Sequence, residues 1–177
     1  MDKIAGVPVA EFLKVAEEVA KRYMALPDNP DKSDGGYLAV ISKFANNNLQ
    51  LFCRLGEPKC SELDRNSLGS ILSTTILRRM FKHPMGCPVY PDEDHSSVCV
   101  MEMTSESEGL EIGRTIIGVV AGFDRHGNEA IALAIWKVFG WITWDGAEGR
   151  VKTSNNGMFY RLISRCADLG DRKRYTE

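Results

Sequence analysis

The segment from Ile116 to Ile142 constrains the fold more than any other part of the chain. It begins with the apolar run Ile-Ile-Gly-Val-Val-Ala-Gly-Phe, continues through a polar Asp-Arg-His-Gly turn at 124–127, and ends with residues 128–141, which are apolar nearly all round. A continuous run rich in β-branched residues is typical of a buried strand. A helix that is apolar on every side has to be covered on more than one side. The segment therefore predicts a strand, a tight turn and a helix that is buried either by the rest of the fold or by another subunit.

Composition is that of an ordinary globular protein. The 177 residues fit a single domain, 1–177, with a basic frayed tail at 171–177, and they are 44% hydrophobic and 26% charged. The formal net charge of −2 gives no general attraction to nucleic acid or to an anionic membrane. Five cysteines at irregular spacing argue against a disulfide framework, and neither a signal peptide nor a membrane-spanning run is recognisable. We expect a cytoplasmic protein without a nucleic-acid or membrane partner.

The other elements follow from periodicity and from turn residues. Apolar residues at helical spacing predict a first helix over 8–25, which Pro27 ends. An asparagine run at 46–48 between two apolar segments predicts a β-hairpin, because asparagine tolerates the left-handed conformation of tight turns. The predicted strands of this hairpin cover 37–44 and 49–55. The later predicted elements are a helix over 62–81, a loop over 83–95, a strand over 97–104, a loop or short hairpin over 144–157 and a last helix over 158–169.

The order of these elements defines a fold class. Along the chain they run α-β-β-α-β-β-α-α. Strands joined by short turns form antiparallel sheets, and the helices are too few to make every crossover of a parallel sheet. The sequence therefore predicts an α+β fold, with an antiparallel sheet flanked by helices.

Catalytic and metal-binding motifs are not recognisable in the sequence. His83 and Cys87 are separated by three residues, as are His95 and Cys99, which on a helix would place zinc ligands on one face. Prolines break the first pair, and Cys99 falls in a predicted strand, where an extended chain would put it roughly 13 Å from His95. We therefore expect surface histidines and a buried structural cysteine, with no metal site and no catalytic residues.

His126 lies on the polar turn between the predicted buried strand and buried helix. Because imidazole changes its charge near neutral pH, a histidine at this place could carry a proton or bind haem iron. The alternative is an ordinary turn, in which Asp124 bonds to the local backbone and its neighbours are exposed. Turn chemistry favours this alternative.

Several segments resemble the GlcG/HbpS-like family, also described as haem-degrading or PduO C-terminal domains. Residues 51–57 (Leu-Phe-Cys-Arg-Leu-Gly-Glu) and 61–68 (Ser-Glu-Leu-Asp-Arg-Asn-Ser-Leu) are similar to its hairpin and the turn that follows. Residues 116–122 and 128–132 are similar to its glycine-rich strand and alanine-rich helix. The family's Asp-x-x-Gly hairpin turn is replaced here by asparagines, and its Gly-Gly-x-Pro loop by Glu-Gly-Leu-Glu at 108–111.

The resemblance implies a profilin-like arrangement and a homo-oligomeric domain that binds haem or a related small molecule beside the sheet. The candidate cofactor-binding residues are His126, His83 and Met85 as axial ligands, with His95 as a further histidine, and Arg54. The guanidinium of Arg54 would match the geometry of a haem propionate. The alternative is an interaction or scaffold protein without catalytic activity, which homo-oligomerises through the apolar helix at 128–142.

Overall fold

The structure, a computed structural model, describes residues 3–4, 6–29, 34–44, 47–58, 98–105 and 114–170. The helix predicted over 62–81, the loop predicted over 83–95 and the tail at 171–177 lie outside these residues. In chain order the elements are β1 (Lys3–Ile4), β2 (Val7–Pro8), α1 (Val9–Met24), β3 (Gly35–Phe44), β4 (Asn47–Gly56), β5 (Val98–Ser105), β6 (Arg114–Ala121), α2 (Arg125–Val138), α3 (Trp144–Ser154), α4 (Gly157–Arg165) and a 3-10 helix (Ala167–Leu169).

Strands β3 to β6 form one antiparallel sheet in the order β4-β3-β6-β5. The predicted hairpin is formed by β3 and β4, which pair from Gly35 opposite Gly56 to Phe44 opposite Asn47. Asn47 and Asn48, predicted to lie in the turn, are instead the first residues of β4. The predicted strand over 97–104 is β5, and it pairs with β6. A separate two-stranded hairpin, β1 with β2, stands just before α1. The α+β class with antiparallel pairing is confirmed for this part of the chain.

Helix α2 occupies the interior. It packs on β5 and β6 on one side and against α1 and α4 on the others, and every residue from Gly127 to Trp136 is buried. The strand before it is buried as well, with Val119 and Val120 fully inaccessible to solvent. The predicted buried strand and helix are therefore confirmed, and the chain itself buries them. Among the described residues, no helix combines the length and apolar character needed to cross a membrane.

Helix α1 is amphipathic, as predicted, and ends within one residue of each predicted boundary. Its buried face is formed by Phe12, Val15, Ala16, Val19, Ala20 and Tyr23. Pro8 precedes the first turn with φ of −57°, an angle that already suits the start of a helix. The buried face lies against α2 and β4, so α1 covers the side of the sheet that α2 also covers.

The segment after Thr143 is helical, and the prediction of a loop or short hairpin over 144–157 was wrong. Thr143 caps the start of α3, because its Oγ1 accepts a hydrogen bond from the backbone N–H of Gly146 at 3.1 Å. Ala147 and Val151, four residues apart, turn one face of this helix to the core. Asn155, with φ of 53°, ends it in the left-handed conformation. In the described part of the chain three helices follow β6, where the predicted order had two.

Candidate functional site

The start of α2 is fixed by Asp124. Its Oδ1 accepts a hydrogen bond from the backbone N–H of Gly127 at 2.9 Å and a second from the hydroxyl of Tyr23 in α1 at 2.5 Å. The first bond satisfies an amide that the helix itself leaves unpaired. A Cβ on Gly127 would lie 2.3 Å from Oη of Tyr23, so only glycine leaves room for this arrangement. The turn predicted around Asp124 is thus a helix cap, and α2 begins three residues earlier than predicted.

Asn128 secures the same turn from inside. Its Nδ2 donates a hydrogen bond to the backbone carbonyl of Phe123 at 3.0 Å, and its Oδ1 accepts one from the Phe123 N–H at 3.2 Å. The side-chain amide therefore donates one hydrogen bond to the Phe123 backbone and accepts one from it, which is the pattern found between paired residues of neighbouring β-strands. Asn128 is completely buried, and a buried amide is tolerated only when its hydrogen bonds are made.

Glu129 is the centre of a buried polar network between α2, α3 and α4. Its Oε2 accepts hydrogen bonds from the hydroxyl of Ser154 and from Nδ2 of Asn156, both at 2.7 Å. Asn156 also donates to the backbone carbonyl of His126 at 2.8 Å, and its Oδ1 accepts from the N–H of Met158 at 3.1 Å, which caps α4. This network joins the first turn of α2 to the end of α3 and the start of α4.

The chemistry of this network is structural. The carboxylate of Glu129, 9% exposed, is held by neutral donors, and both of these donors are themselves tied to helix backbone. Within the described residues, no group of three or more His, Cys, Asp or Glu side chains is placed to hold a metal ion. Sequence reasoning missed Glu129, Ser154 and Asn156. Only the position of Asn156 ahead of an apolar run carried a signal, since asparagine is a preferred N-cap residue.

His126 lies in the first turn of α2, and its side chain is partly buried. Its backbone carbonyl is the group that takes part in the network, through Asn156. Because α2 and α4 lie in the helical layer, His126 belongs to that side of the sheet.

Arg54 lies on the other side of the sheet. Leu51, Cys53 and Leu55 of β4 pack against the core on the helical side, so the alternation of a strand places Phe52 and Arg54 on the opposite face. There the ring of Phe52 stacks on Tyr37 of β3, with centroids 5.7 Å apart and planes inclined by 17°. Phe52 is 50% exposed, whereas Tyr37 is buried.

The guanidinium of Arg54 forms a weak, solvent-exposed ion pair. Its Nη2 donates a hydrogen bond to Oε1 of Glu57 at 3.2 Å, and both side chains are largely in solvent. Ion pairs of this kind contribute little free energy, so the guanidinium can change partner at small cost. Arg54 and Phe52 together present a cation beside an exposed aromatic ring.

The predicted site residues do not form one site within the described residues. Arg54 and His126 lie on opposite sides of the sheet, so a single ligand lying on one face would not contact both. His83, Met85 and His95 lie outside the described residues. Of the cysteines in the zinc hypothesis, Cys99 lies in β5, as predicted, and Cys87 lies outside the described residues.

Of the two cysteines with described side chains, Cys166 is buried and Cys53 is partly buried. Burial raises the pKa of Cys53 to about 12. Burial likewise raises the pKa of Cys166 to about 11. Both thiols are free, and both remain protonated at neutral pH, which disfavours nucleophilic or metal-binding roles.

Comparisons with known proteins found no match to this chain. No protein-family model matches the chain, and no significant match was found among curated proteins or among solved structures. The similarity to the GlcG/HbpS-like family therefore stays a hypothesis drawn from the segments quoted above.

Proposed function

We propose that this protein binds a planar small molecule that carries a carboxylate, at the exposed side chains of Phe52 and Arg54 on β4. Haem or a related tetrapyrrole is the candidate that the family resemblance suggests, and a profilin-like arrangement in the cytoplasm belongs to the same proposal. The observation that carries it is the exposed ring of Phe52, stacked on Tyr37 and next to a half-exposed guanidinium on the same face. An aromatic surface accepts the face of a planar ligand, and a guanidinium pairs with carboxylate oxygens.

The described geometry favours a surface contact over iron ligation by His126. Arg54 is the predicted cofactor residue that lies on the aromatic face, and His126 lies across the sheet from it. If haem is the ligand, His83, Met85 and His95 remain the candidate axial ligands from the sequence analysis, and all three lie outside the described residues. Binding of an iron-free porphyrin therefore separates recognition of the ring and carboxylate from ligation of iron.

Titration with haemin tests the proposal directly. We expect a shifted Soret band with haemin and quenching of tryptophan fluorescence with protoporphyrin. The dimethyl esters of both, which lack free carboxylates, should bind at least about tenfold more weakly, because a charge-assisted hydrogen bond is lost. Arg54→Gln should reproduce that loss for the acids and leave the binding of the esters unchanged.

A matched control is Arg161→Gln, which removes another half-exposed arginine that pairs with a carboxylate, Asp28. This variant should bind like the wild type. His126→Ala, His83→Ala and Met85→Ala then report whether any of these side chains ligates iron, since only haemin spectra would change. The proposal is wrong if neither porphyrin binds, or if the acids bind the wild type no more tightly than the esters do.

We do not place an assembly interface on the 128–142 helix. The scaffold alternative rested on its apolar surface, and the residues from Ala130 to Trp136 are already buried within one chain.

A further inference from the structure

Asn156 is followed by Gly157, and this is the one Asn-Gly pair in the sequence. Asparagine is a chemically labile residue, and it is most labile before glycine. The backbone nitrogen of the next residue can attack the side-chain amide carbon, and glycine has no side chain to obstruct that approach. The products are ammonia and a succinimide ring, which water opens to aspartate or isoaspartate. The pair is therefore a candidate site of deamidation.

The folded backbone keeps the two reacting atoms apart. Ring closure joins the Gly157 nitrogen to Cγ of Asn156, so this nitrogen and Cβ must lie on the same side of the Cα–C bond. At the observed ψ of 83° they lie on nearly opposite sides in an L-residue. Gly157 itself is exposed, and as the first residue of α4 its N–H is not needed by the helix. The conformation of Asn156 is thus what prevents the reaction.

Hydrogen bonds of the buried network fix that conformation. Nδ2 of Asn156 donates to Oε2 of Glu129 at 2.7 Å and to the carbonyl of His126 at 2.8 Å, and Oδ1 accepts from the N–H of Met158 at 3.1 Å. The residue is completely buried. Cγ can reach the Gly157 nitrogen only if the side chain or the start of α4 rotates, and either movement breaks these bonds. Deamidation therefore requires the junction of α2, α3 and α4 to open.

We propose that Asn156 is a deamidation site that the network around Glu129 protects, and that its conversion prevents the junction from closing again. In the open junction the Gly157 nitrogen loses its proton and bonds to Cγ, while the Cγ–Nδ2 bond breaks and Nδ2 leaves as ammonia. Water then adds to one of the two ring carbonyls. The C–N bond there breaks, the hydroxyl stays on the carbon, and the proton goes to the nitrogen.

The products do not fit the closed junction. In aspartate, an oxygen takes the place of Nδ2, so a carboxylate faces the carboxylate of Glu129 and like charges repel. Isoaspartate in addition lengthens the backbone by one carbon at the cap of α4. The modification therefore converts a reversible opening into a permanent one. It does not depend on the ligand proposed above, because Phe52 and Arg54 take no part in this network.

Peptide mapping by mass spectrometry measures the conversion of Asn156 in the full chain at mildly alkaline pH. The wild type in buffer should convert at least about tenfold more slowly than the same chain in guanidinium, because only the open fraction reacts. Glu129→Ala in buffer should convert at least about fivefold faster than the wild type, since loss of the acceptor favours the open junction. Glu148→Ala, which removes a carboxylate on the surface of α3, should convert at the rate of the wild type.

Gly118→Ala separates local opening from a general loss of stability. It crowds the indole of Trp136 in another part of the core and leaves the network intact, so Asn156 should convert at close to the wild-type rate. Equal acceleration in Gly118→Ala and Glu129→Ala overturns the protective role of the network. So does a wild type that converts as fast in buffer as in guanidinium.

Asn156→Asp tests the consequence, because it carries the aspartate product from the start. Its midpoint of urea unfolding at neutral pH should lie below that of the wild type. Asn155→Asp, which adds the same charge at the neighbouring exposed asparagine, should shift the midpoint less. If both variants unfold at the same urea concentration, the product does not disturb the junction and this half of the proposal is wrong.

Discussion

The indole of Trp136 fills the space that a side chain at residue 118 would need. A Cβ on Gly118 would lie 2.1 Å from Cη2 of Trp136, which is closer than any real contact of a Cβ atom. Trp136 is in turn held edge-on against Trp141, with centroids 5.3 Å apart. The absence of a side chain in β6 thus sets how closely α2 approaches the sheet.

Replacement of Gly118 by alanine should destabilise the fold by about 1–3 kcal/mol, because the added methyl forces the indole out of a packed position. The free energy of unfolding from urea titration measures this loss. Gly149→Ala is the matched control: no atom lies within 4 Å of a Cβ there, and alanine in a helix should add about 0.5–1 kcal/mol. Equal stability of Gly118→Ala and the wild type would mean that α2 does not approach β6 in this way.

Elements were predicted correctly from the sequence where the hydrophobic pattern and the residue propensities agree. The β-branched run before Gly122, the two apolar segments of the hairpin and the apolar face of α1 each predicted the element that is found. The turn between the hairpin strands was misplaced, because Asn47 and Asn48 pair in the ladder with Phe44 and Lys43. Helix α3 was missed because its residues are poor helix formers: Gly146 and Gly149 interrupt it, and few of its positions are apolar. Its cap at Thr143 and the buried pair Ala147 and Val151 outweigh this low propensity.

The polar contacts could not be predicted because they join distant parts of the chain. Tyr23 and Asp124 are 101 residues apart, and Glu129 and Asn156 are 27 residues apart. A single sequence does not indicate such pairs, since each of these polar side chains could equally well be exposed to solvent. The surroundings of Arg54 were predictable only in part: strand alternation places Phe52 on the same side of β4, but the stacking of Phe52 on Tyr37 depends on strand register.

Removal of the Glu129 carboxylate should destabilise the junction of the three helices. In Glu129→Ala, one N–H of the Asn156 amide loses its acceptor in the interior, at a cost of about 1–3 kcal/mol. The hydroxyl of Ser154 can donate to the backbone carbonyl of Arg150 instead, at 3.1 Å. Glu129→Gln, which keeps an acceptor oxygen, should lose less. Glu148→Ala on the surface of α3 removes an i,i+4 pair with Lys152 and should change stability by no more than about 0.5 kcal/mol.

A double-mutant cycle separates the network from simple loss of packing. Glu129→Ala and Asn156→Ala together should cost less than the sum of the two single changes, because each single change already breaks their shared bond. Strict additivity would indicate that the two side chains do not interact.

Acid should weaken the attachment of the C-terminal 3-10 helix to α1. Arg22 Nη2 donates a hydrogen bond to Oδ2 of Asp168 at 2.9 Å, and this bond holds the pKa of Asp168 below its ordinary value of 3.8. A carboxyl with a lowered pKa in the folded state adds stability above its unfolded pKa, and this stability is lost as the pH falls through the folded value. The loss should therefore begin below about pH 4.

The unfolding free energy of the wild type, measured from neutral pH to about pH 2, should fall more steeply in acid than that of Asp168→Asn. The comparison with the variant removes the contribution of the other carboxyl groups. Arg22→Gln should also flatten the profile, because it deletes the same pair together with the pair of Arg22 and Glu18 at 2.8 Å. Parallel profiles for all three proteins would rule out a contribution from this contact.

The thiols of Cys53 and Cys166 should resist alkylation in the folded protein. With pKa values raised by burial to about 12 and about 11, the thiolate fraction of Cys166 at pH 8 is about one in a thousand and that of Cys53 is lower still. Peptide mapping after brief treatment with iodoacetamide should find both unmodified, whereas both should react readily in guanidinium. Cys53 is the more informative, because its side chain lies on the helical face of β4 while Phe52 and Arg54 lie on the other. Rapid labelling of Cys53 in the folded protein would contradict its position on the helical side of β4. Phe52 and Arg54 would then face α1, and the proposed ligand surface would not be available.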